Sequence, residues 1–279
     1  MHCSLPATRT CFLASVVLFL FFLLAVLQPA PALAQNQPPK QAPIPAGIHL
    51  PGPNATPEQI LESLVGIPYR IDGTTDEFGN YTLFAQPNER FASPGLNCSG
   101  LVLTASRLLL RTNFTLHEVM VDRLNDSYQG APLGHDWDFG WDLIMNISER
   151  FPRTLLLPGN KTMDPAKTTG STPHGFDLAK KETWHELMPR FKTNHLYLVS
   201  WKQQVKNPGY DWAHYHVGLI HKNSKGEVWL YQTTRQGKTA NRRNLASAEG
   251  MQSFMKSFAR PSIPRYLTII EVTLPKTGQ

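Results

Sequence analysis

The chain has 279 residues, of which 41% are hydrophobic and 17% charged, and its formal net charge is +6. This length is enough for one domain with a substantial core. The mild positive charge suits an anionic polymer or a cell surface. The charge is not concentrated in a Lys/Arg-rich stretch and no nucleic-acid-binding motif is present, so nucleic acid is not an expected partner.

The N-terminal segment has the pattern of a secretory signal. Arg9 precedes an apolar run from Phe12 to Leu27, and Ala32-Leu33-Ala34 supplies small residues for cleavage before Gln35. The run is short for a membrane span, which needs about 20 residues. We therefore predict a signal peptide over 1–34, with an uncleaved N-terminal anchor as the alternative. Export to the periplasm or the medium is expected, with no stable membrane anchor after cleavage.

The cysteine count becomes informative once this segment is set aside. Cys3 and Cys11 lie inside it, which leaves Cys98 alone and without a partner for an intramolecular disulfide. A single thiol in an oxidising compartment is a buried apolar filler, an intermolecular bridge or a reactive group.

The segment 35–55 is rich in proline and has little periodicity, which predicts an extended linker or a strap over the surface. The folded domain is expected over 56–279. It begins with a helix, because Thr56 and Gln59 form a capping box around Pro57 at the first helical position. A further helix is expected over Thr115 to Arg123.

A second helix is predicted to start at Cys98 and to run to about Arg111. A Pro94-Gly95 turn precedes it, and apolar residues then recur at helical spacing at Leu101, Val102, Ala105, Leu108 and Leu109. The free N–H groups and the dipole at a helix start favour an anion, here a thiolate.

The segment 131–186 has a looser pattern, with a helical patch near Trp141–Arg150. We predict an insertion that walls the substrate cleft and narrows the substrate range. Three aromatic residues and one aspartate of this segment line a carbohydrate or peptide cleft in one interpretation, and form the small core of the insertion in the favoured one. The side chains concerned are Asp136, Trp137, Phe139 and Trp141.

Strand patterns dominate the C-terminal part. They cover Leu196–Trp201, Ala213–Ile220, Val228–Thr233 and Tyr266–Val272. Helices first and an antiparallel sheet after predict an α+β fold.

The hairpin of the second and third strands is predicted to place His216 opposite Gln232. This register gives a three-residue loop with Gly226 in a left-handed conformation. A register shifted by one residue would instead turn Tyr231 or Thr233 toward His216.

A cysteine nucleophile needs a base, and His216 is the candidate. His214 is its rival, because alternate residues of a strand share a face. A strand histidine with no catalytic role is the remaining alternative. No metal site is predicted: His214, His216 and His221 cluster in the sequence, but they have no cysteine partner.

Three short stretches, in this order, carry a resemblance to a known family. They are Gly66-Ile67-Pro68-Tyr69-Arg70, Asn97-Cys98-Ser99-Gly100-Leu101-Val102 and His216-Val217-Gly218-Leu219-Ile220. Together they resemble the NlpC/P60 family of cell-wall cysteine peptidases, whose pattern is roughly G-x-P-Y-x-x-G-G, D-C-S-G-L-V and H-V-G-I. The resemblance implies a papain-like fold. It also implies hydrolysis of amide bonds in peptidoglycan stem peptides, often beside a D-glutamyl residue.

Matched residue by residue, the resemblance implies that Cys98 is the nucleophile and His216 the general base. Gln232 stands where the family usually has a third, histidine, residue, and glutamine can still accept a hydrogen bond from the imidazole. The positions expected to contact substrate are Tyr69, Asn97 and Ser99. Asn97 replaces the family aspartate, so the charge at that position is lost.

Two alternatives to a peptidoglycan peptidase follow from the same residues. One is a catalytically inactive wall-binding or scaffold relative, and the other is a thiol amidase or acyltransferase that acts on a different substrate. For the peptidase, the expected partner is peptidoglycan or its peptide fragments. No cofactor is expected, and the protein is expected to be a monomer.

Overall fold

The computed structural model describes residues 41–125, 137–159, 161–172, 175–207, 210–259 and 262–276. All belong to one compact unit, Pro39–Gln279. The predicted signal peptide, the start of the linker and Asp136 lie outside the described residues. Within the described ranges, no helix combines the length and the apolar character needed to cross a membrane.

Six α-helices occur in the described ranges, together with two short 3-10 turns at Pro165–Lys167 and Met188–Arg190. The helices are α1 (Pro57–Leu64), α2 (Cys98–Leu110), α3 (Leu116–Val119), α4 (Phe139–Ser148), α5 (Lys181–Leu187) and α6 (Ala248–Phe258).

The strands form a small two-stranded sheet and a large eight-stranded one, and the pairs are antiparallel. The small sheet pairs β1 (Gly73–Thr75) with β2 (Tyr81–Leu83). The large sheet contains β3 (Arg153–Leu156), β4 (Thr162–Met163), β5 (Phe176–Asp177), β6 (His195–Asn207), β7 (Tyr210–Lys222), β8 (Val228–Thr233), β9 (Ala240–Asn244) and β10 (Arg265–Thr273). Its order is β4-β3-β10-β6-β7-β8-β9, with β5 also paired to β10. The α+β prediction is confirmed.

The large sheet separates two hydrophobic layers, because alternate residues of its central strands point to opposite faces. Leu198 and Leu219 face a layer that also contains α2 and α4. Tyr197 and Ile220 face the other layer, which α5 and α6 cover. Helix α2, which starts at Cys98, is therefore packed against the sheet inside the hydrophobic core.

The predicted start of α1 and both predicted ends of α2 agree with the structure. Thr56 and Gln59 form the expected capping box. Helix α2 ends at Leu110, where Arg111 adopts a left-handed conformation with a φ of 52°. The predicted helix from Thr115 to Arg123 is only the short α3, with Thr115 as its cap.

Helix α2 is buried on every side, whereas the sequence predicts a single apolar stripe. Even the charged side chain of Arg107, which lies off the apolar stripe, is buried. The guanidinium donates hydrogen bonds to the carbonyl oxygens of Phe114, Thr75 and Asp76 at 2.6–3.0 Å. These acceptors replace water, so a charged residue is accommodated inside the protein.

Two of the aromatic residues of 131–186, Trp141 and Phe139, belong to the main core or pack against it, contrary to both interpretations of them, while Trp137 stacks on the Tyr210 ring. Helix α4 packs against α2, β6 and β7, and Trp141 lies in the same hydrophobic cluster as α2. The segment also supplies β3, β4 and β5 of the large sheet. The apolar face of α4 finds its partner in the central helix and not within the segment.

The loop between β7 and β8 is longer than predicted. Lys222 pairs with Val228, so the loop spans 223–227 and the register is shifted by two residues. Asn223 organises it, because its Oδ1 accepts from the N–H groups of Lys225 and Glu227 at 3.1 and 2.9 Å. Gly226 has the predicted left-handed conformation, with a φ of 83°. A shift of two residues leaves each side chain on its predicted face.

Residues 41–55 lie against the domain as a strap. Ile48 is buried in the main core, and the Tyr81 hydroxyl donates to the carbonyl oxygen of Ala46 at 3.0 Å. The strap passes the side of the molecule that carries α1 and β2.

Candidate active site

Cys98 is the first residue of α2, and the small sheet holds this helix start in place. The Asn97 N–H donates to the carbonyl oxygen of Gly73 at 2.8 Å, and the Asn97 Oδ1 caps the helix by accepting from the Gly100 N–H at 2.8 Å. A Cβ at Gly100 would overlap the Gly73 carbonyl oxygen, so this close approach requires glycine. Cys98 is therefore fixed by a cap and by β1.

The thiol of Cys98 is half-buried, and Cys98 and His216 line one cleft. Burial alone would raise the pKa of Cys98. The hydrogen bond and the charge of His216, the backbone N–H of Val217 and the Ser99 hydroxyl oppose it, and together they lower the pKa below its ordinary value. The surroundings therefore favour the thiolate, the nucleophilic form of cysteine.

Gln232 determines which nitrogen of His216 carries the proton. The Nε2 of His216 lies 2.8 Å from the Oε1 of Gln232, an oxygen that only accepts. Nε2 is therefore the donor, and Nδ1 is left as the nitrogen that can exchange a proton with the thiol. Gln232 is 3% exposed, so water does not compete for its oxygen.

Two aromatic rings hold the imidazole in its plane. The Phe258 ring stacks on His216 with 5.5 Å between centroids and an interplanar angle of 17°. The Trp201 ring lies 4.8 Å away, tilted by 51°. His216 therefore has little freedom to rotate away from Cys98.

His214, the rival candidate for the base, points to the other face of the sheet. The register of β6 and β7 shifts between Trp201 and Lys202, where Tyr215 forms a bulge, and the alternation of faces is broken there. The Nδ1 of His214 lies 2.7 Å from the Ser200 hydroxyl, and its Nε2 lies 3.1 Å from the carbonyl oxygen of Gly170. The prediction that His214 and His216 share a face is wrong for this reason.

A cleft of about 860 Å³ opens over the pair. Tyr69, Cys98, His216 and Gln232 all line it, which brings four of the predicted site residues together. The pKa of Tyr69 is raised, chiefly by burial and then by the charge of Cys98, so its hydroxyl keeps its proton. A neutral tyrosine hydroxyl can donate to a substrate carbonyl or accept from an N–H.

Asn97 and Ser99 do not line this cleft. The Asn97 Oδ1 is already engaged in the helix cap, and Ser99 is buried with its Oγ 4.0 Å from the Cys98 Sγ. The segment 131–186 is predicted to wall the cleft, and none of its described residues lines it. The described residues of the segment contribute to the hydrophobic core and form strands β3, β4 and β5 of the large sheet.

The cleft walls come from parts of the chain that the sequence interpretation left without a role. They are the loop after β8, strand β9, the end of α6 and the first residue of β10, with the side chains of Arg235, Arg243, Phe258 and Arg265. A sequence signal for α6 exists: Ser247 is a capping residue, and apolar residues recur at helical spacing at Met251, Phe254, Met255 and Phe258.

The described residues contain no group of His, Cys, Asp and Glu side chains placed to hold a metal ion. The three histidines that cluster in the sequence are apart in the structure. His214 contacts Ser200, His216 contacts Gln232, and the His221 Nδ1 lies 3.1 Å from the carbonyl oxygen of His195.

Comparisons of this chain with protein-family models, with curated proteins and with solved structures gave no match.

Proposed function

We propose that this protein is a cysteine peptidase or amidase that hydrolyses amide bonds. The observation that carries the proposal is the chain of contacts from Cys98 at a helix start, through His216, to Gln232. A thiol, a base and a residue that orients the base, all at one cleft, are the parts that nucleophilic amide hydrolysis needs.

In the acylation step, the Cys98 thiolate attacks the carbonyl carbon of the scissile amide while the thiol proton resides on His216. Negative charge develops on the carbonyl oxygen. The N–H groups of the first turn of α2 are not used by the ladder of the helix, and the Cys98 N–H faces this oxygen in the proposed complex. His216 then gives its proton to the leaving amine, the C–N bond breaks, and a thioester on Cys98 remains.

In the deacylation step, His216 takes a proton from a water molecule, which attacks the thioester carbonyl. The C–S bond breaks, the acid product leaves, and the thiolate of Cys98 returns with a protonated His216. Gln232 accepts from Nε2 throughout, so the same imidazole nitrogen handles the proton in both steps.

The proposed substrate class is the stem peptide of peptidoglycan, on a papain-like NlpC/P60 domain. Support comes from the motif resemblance around Tyr69, Cys98 and His216, together with the presence of all three at one cleft. Export follows from the N-terminal pattern over 1–34. Secretion or a periplasmic location would bring the enzyme to this substrate.

The test is a digest of purified peptidoglycan with the purified protein, with Cys98→Ala as the matched control and mass spectrometry of the soluble products. New peptide fragments from the wild type alone are expected, and their masses identify the bond. Wall binding by both proteins without products would favour the scaffold alternative. Cleavage of simple peptide amides but not of peptidoglycan would keep the chemistry and replace the substrate.

A further inference from the structure

The cleft beside Cys98 carries positive charge that the protein does not neutralise. Three arginines line it, Arg235, Arg243 and Arg265, and its described lining residues include no aspartate or glutamate. None of the three forms an ion pair with a described carboxylate, although seven such pairs, counting one with histidine, occur elsewhere. Uncompensated charge of one sign in a cleft attracts ligands of the opposite sign.

The contacts of the arginines show which parts of the cleft they border. Arg235 is exposed, and its charge lowers the pKa of Tyr69, whereas the charge of Cys98 raises it. Arg243 donates to the Ser257 hydroxyl at 3.2 Å, next to the Phe258 ring that stacks on His216. Charge is thus present on the Tyr69 side and on the Phe258 side of the reacting thiol.

The arginines differ in how free they are. Arg265 is held in place, because it donates to the Phe258 carbonyl oxygen at 2.7 Å and to the Gln203 Oε1 at 3.0 Å, with its guanidinium 4.8 Å from the Tyr215 ring. Arg243 has only the Ser257 contact, which leaves most of its five N–H donors available. Arg235 has no hydrogen bond to a described residue, so it and Arg243 are the groups suited to bind a ligand.

We propose that Arg235 and Arg243 select substrates that carry a carboxylate close to the scissile amide. The planar fork of a guanidinium matches a carboxylate with two parallel hydrogen bonds. This inference rests on the proposed amide hydrolysis and adds a specificity determinant to it: an acidic acyl or amine component is bound, and its neutral amide analogue is not.

The first experiment needs no substrate. Cys98 is alkylated with iodoacetate, which is anionic, and with iodoacetamide, which is neutral and nearly the same size, and the ratio of the two rate constants is recorded. The Arg235→Gln/Arg243→Gln double variant is expected to lower this ratio roughly fivefold, since each charge contributes the free energy of a solvent-accessible ion pair. Arg242→Gln is the matched control. Arg242 lies on the same strand, is exposed and pairs with Glu62, so its removal leaves the ratio unchanged.

The second experiment measures binding to Cys98→Ala by calorimetry with two peptides that differ only in one group, a free carboxylate or a carboxamide beside the amide. Tighter binding of the acid, lost in the Arg235→Gln/Arg243→Gln background and kept in Arg242→Gln, supports the proposal. The proposal is overturned if both peptides bind equally well and the alkylation ratio is the same in the wild type and in the double variant. Competition by inorganic phosphate but not by the acidic peptide would assign the charge to a phosphorylated ligand and also overturn it.

These outcomes separate this inference from the proposed function. A protein that cleaves nothing, but whose alkylation ratio and peptide binding depend on the two arginines, refutes the hydrolase and keeps the anion site. A protein that cleaves acidic and amidated peptides equally well keeps the hydrolase and refutes the arginine selection.

Discussion

His216 and Gln232 are joined by a 2.8 Å hydrogen bond, although the strands do not place them opposite each other. The paired residues of β7 and β8 end at Leu219 and Tyr231, and this register, continued by one step, brings Gly218 and not His216 opposite Gln232. The bond therefore runs diagonally between the strands. Diagonal neighbours lie about 7–8 Å apart at their backbones, so only a long side chain reaches across.

The diagonal predicts which substitutions at Gln232 are tolerated. Gln232→Ala and Gln232→Asn are both expected to lose the bond, the second because asparagine is one methylene too short. Losing an acceptor for a charged donor costs about 1.5–3 kcal/mol, which corresponds to roughly a ten- to hundredfold lower kcat/KM. Gln232→Glu keeps the length and the acceptor, and most activity is expected to remain. The measurement is kcat/KM on the fragments identified in the digest, with alkylation of Cys98 as a second readout.

Equal activity of Gln232→Asn and the wild type would contradict a positioning role through this bond. Thermal unfolding of each variant serves as the control, because a loss of activity that merely follows a loss of stability would not distinguish positioning from packing.

The pKa shift of Cys98 predicts the pH dependence of its reactivity. A lowered pKa means that the thiolate persists to lower pH, so the alkylation rate is expected to rise at lower pH than for an ordinary thiol, whose pKa is ~8.5. In His216→Ala only burial and the weaker hydrogen bonds remain. The midpoint is then expected to move upward, because burial favours the neutral thiol.

The measurement is the rate of iodoacetamide reaction between pH 5 and pH 10, on the order of one point per half unit. Ser99→Ala is the matched control, since Ser99 makes the smallest contribution to the thiolate and should move the midpoint least. A wild-type midpoint at or above that of free cysteine would refute activation of the thiol by His216.

Much of the site could be predicted from the sequence because its signals are local. The turn before Cys98, the apolar spacing of α2 and the strand composition around His216 each involve only a few neighbouring residues. The same local reasoning correctly predicted Thr56 as a cap and Gly226 as a left-handed turn residue.

The failures concern contacts between distant parts of the chain. The bulge that turns His214 away depends on how β7 meets β6, and the burial of Trp141 depends on α4 meeting α2. Neither contact can be predicted from a short stretch of the sequence. Phe258, which stacks on His216, lies 42 residues further along the chain in a helix whose pattern the strand-centred interpretation left unassigned.

Asn97 provides a test of local structure against substrate recognition. Its side chain caps α2, so Asn97→Ala is expected to lower the free energy of unfolding by about 1 kcal/mol, while Asn97→Asp retains a capping oxygen and is expected to stay within a few tenths of a kcal/mol of the wild type. Denaturant unfolding measures both. If Asn97→Ala changed substrate affinity and left stability untouched, the cap would not be the role of this residue.

His214 predicts how the stability of the whole domain depends on pH. Burial chiefly, and the charge of Lys202 in addition, lower the pKa of His214 to about 3, against an ordinary value of 6.5. The unfolded chain binds this proton more readily than the folded one. The contribution of His214 to the free energy of unfolding is therefore fully present above pH 6.5 and is lost progressively as the pH falls toward about 3. The expected loss attributable to this residue between pH 7 and pH 4 is roughly 3 kcal/mol.

His214→Gln removes the titration, so its unfolding free energy should fall less steeply over this range, even though the variant is less stable at pH 7. His117→Gln is the matched control at an exposed position and should retain the wild-type slope. Parallel curves for His214→Gln and the wild type would show that this buried histidine does not couple folding to pH.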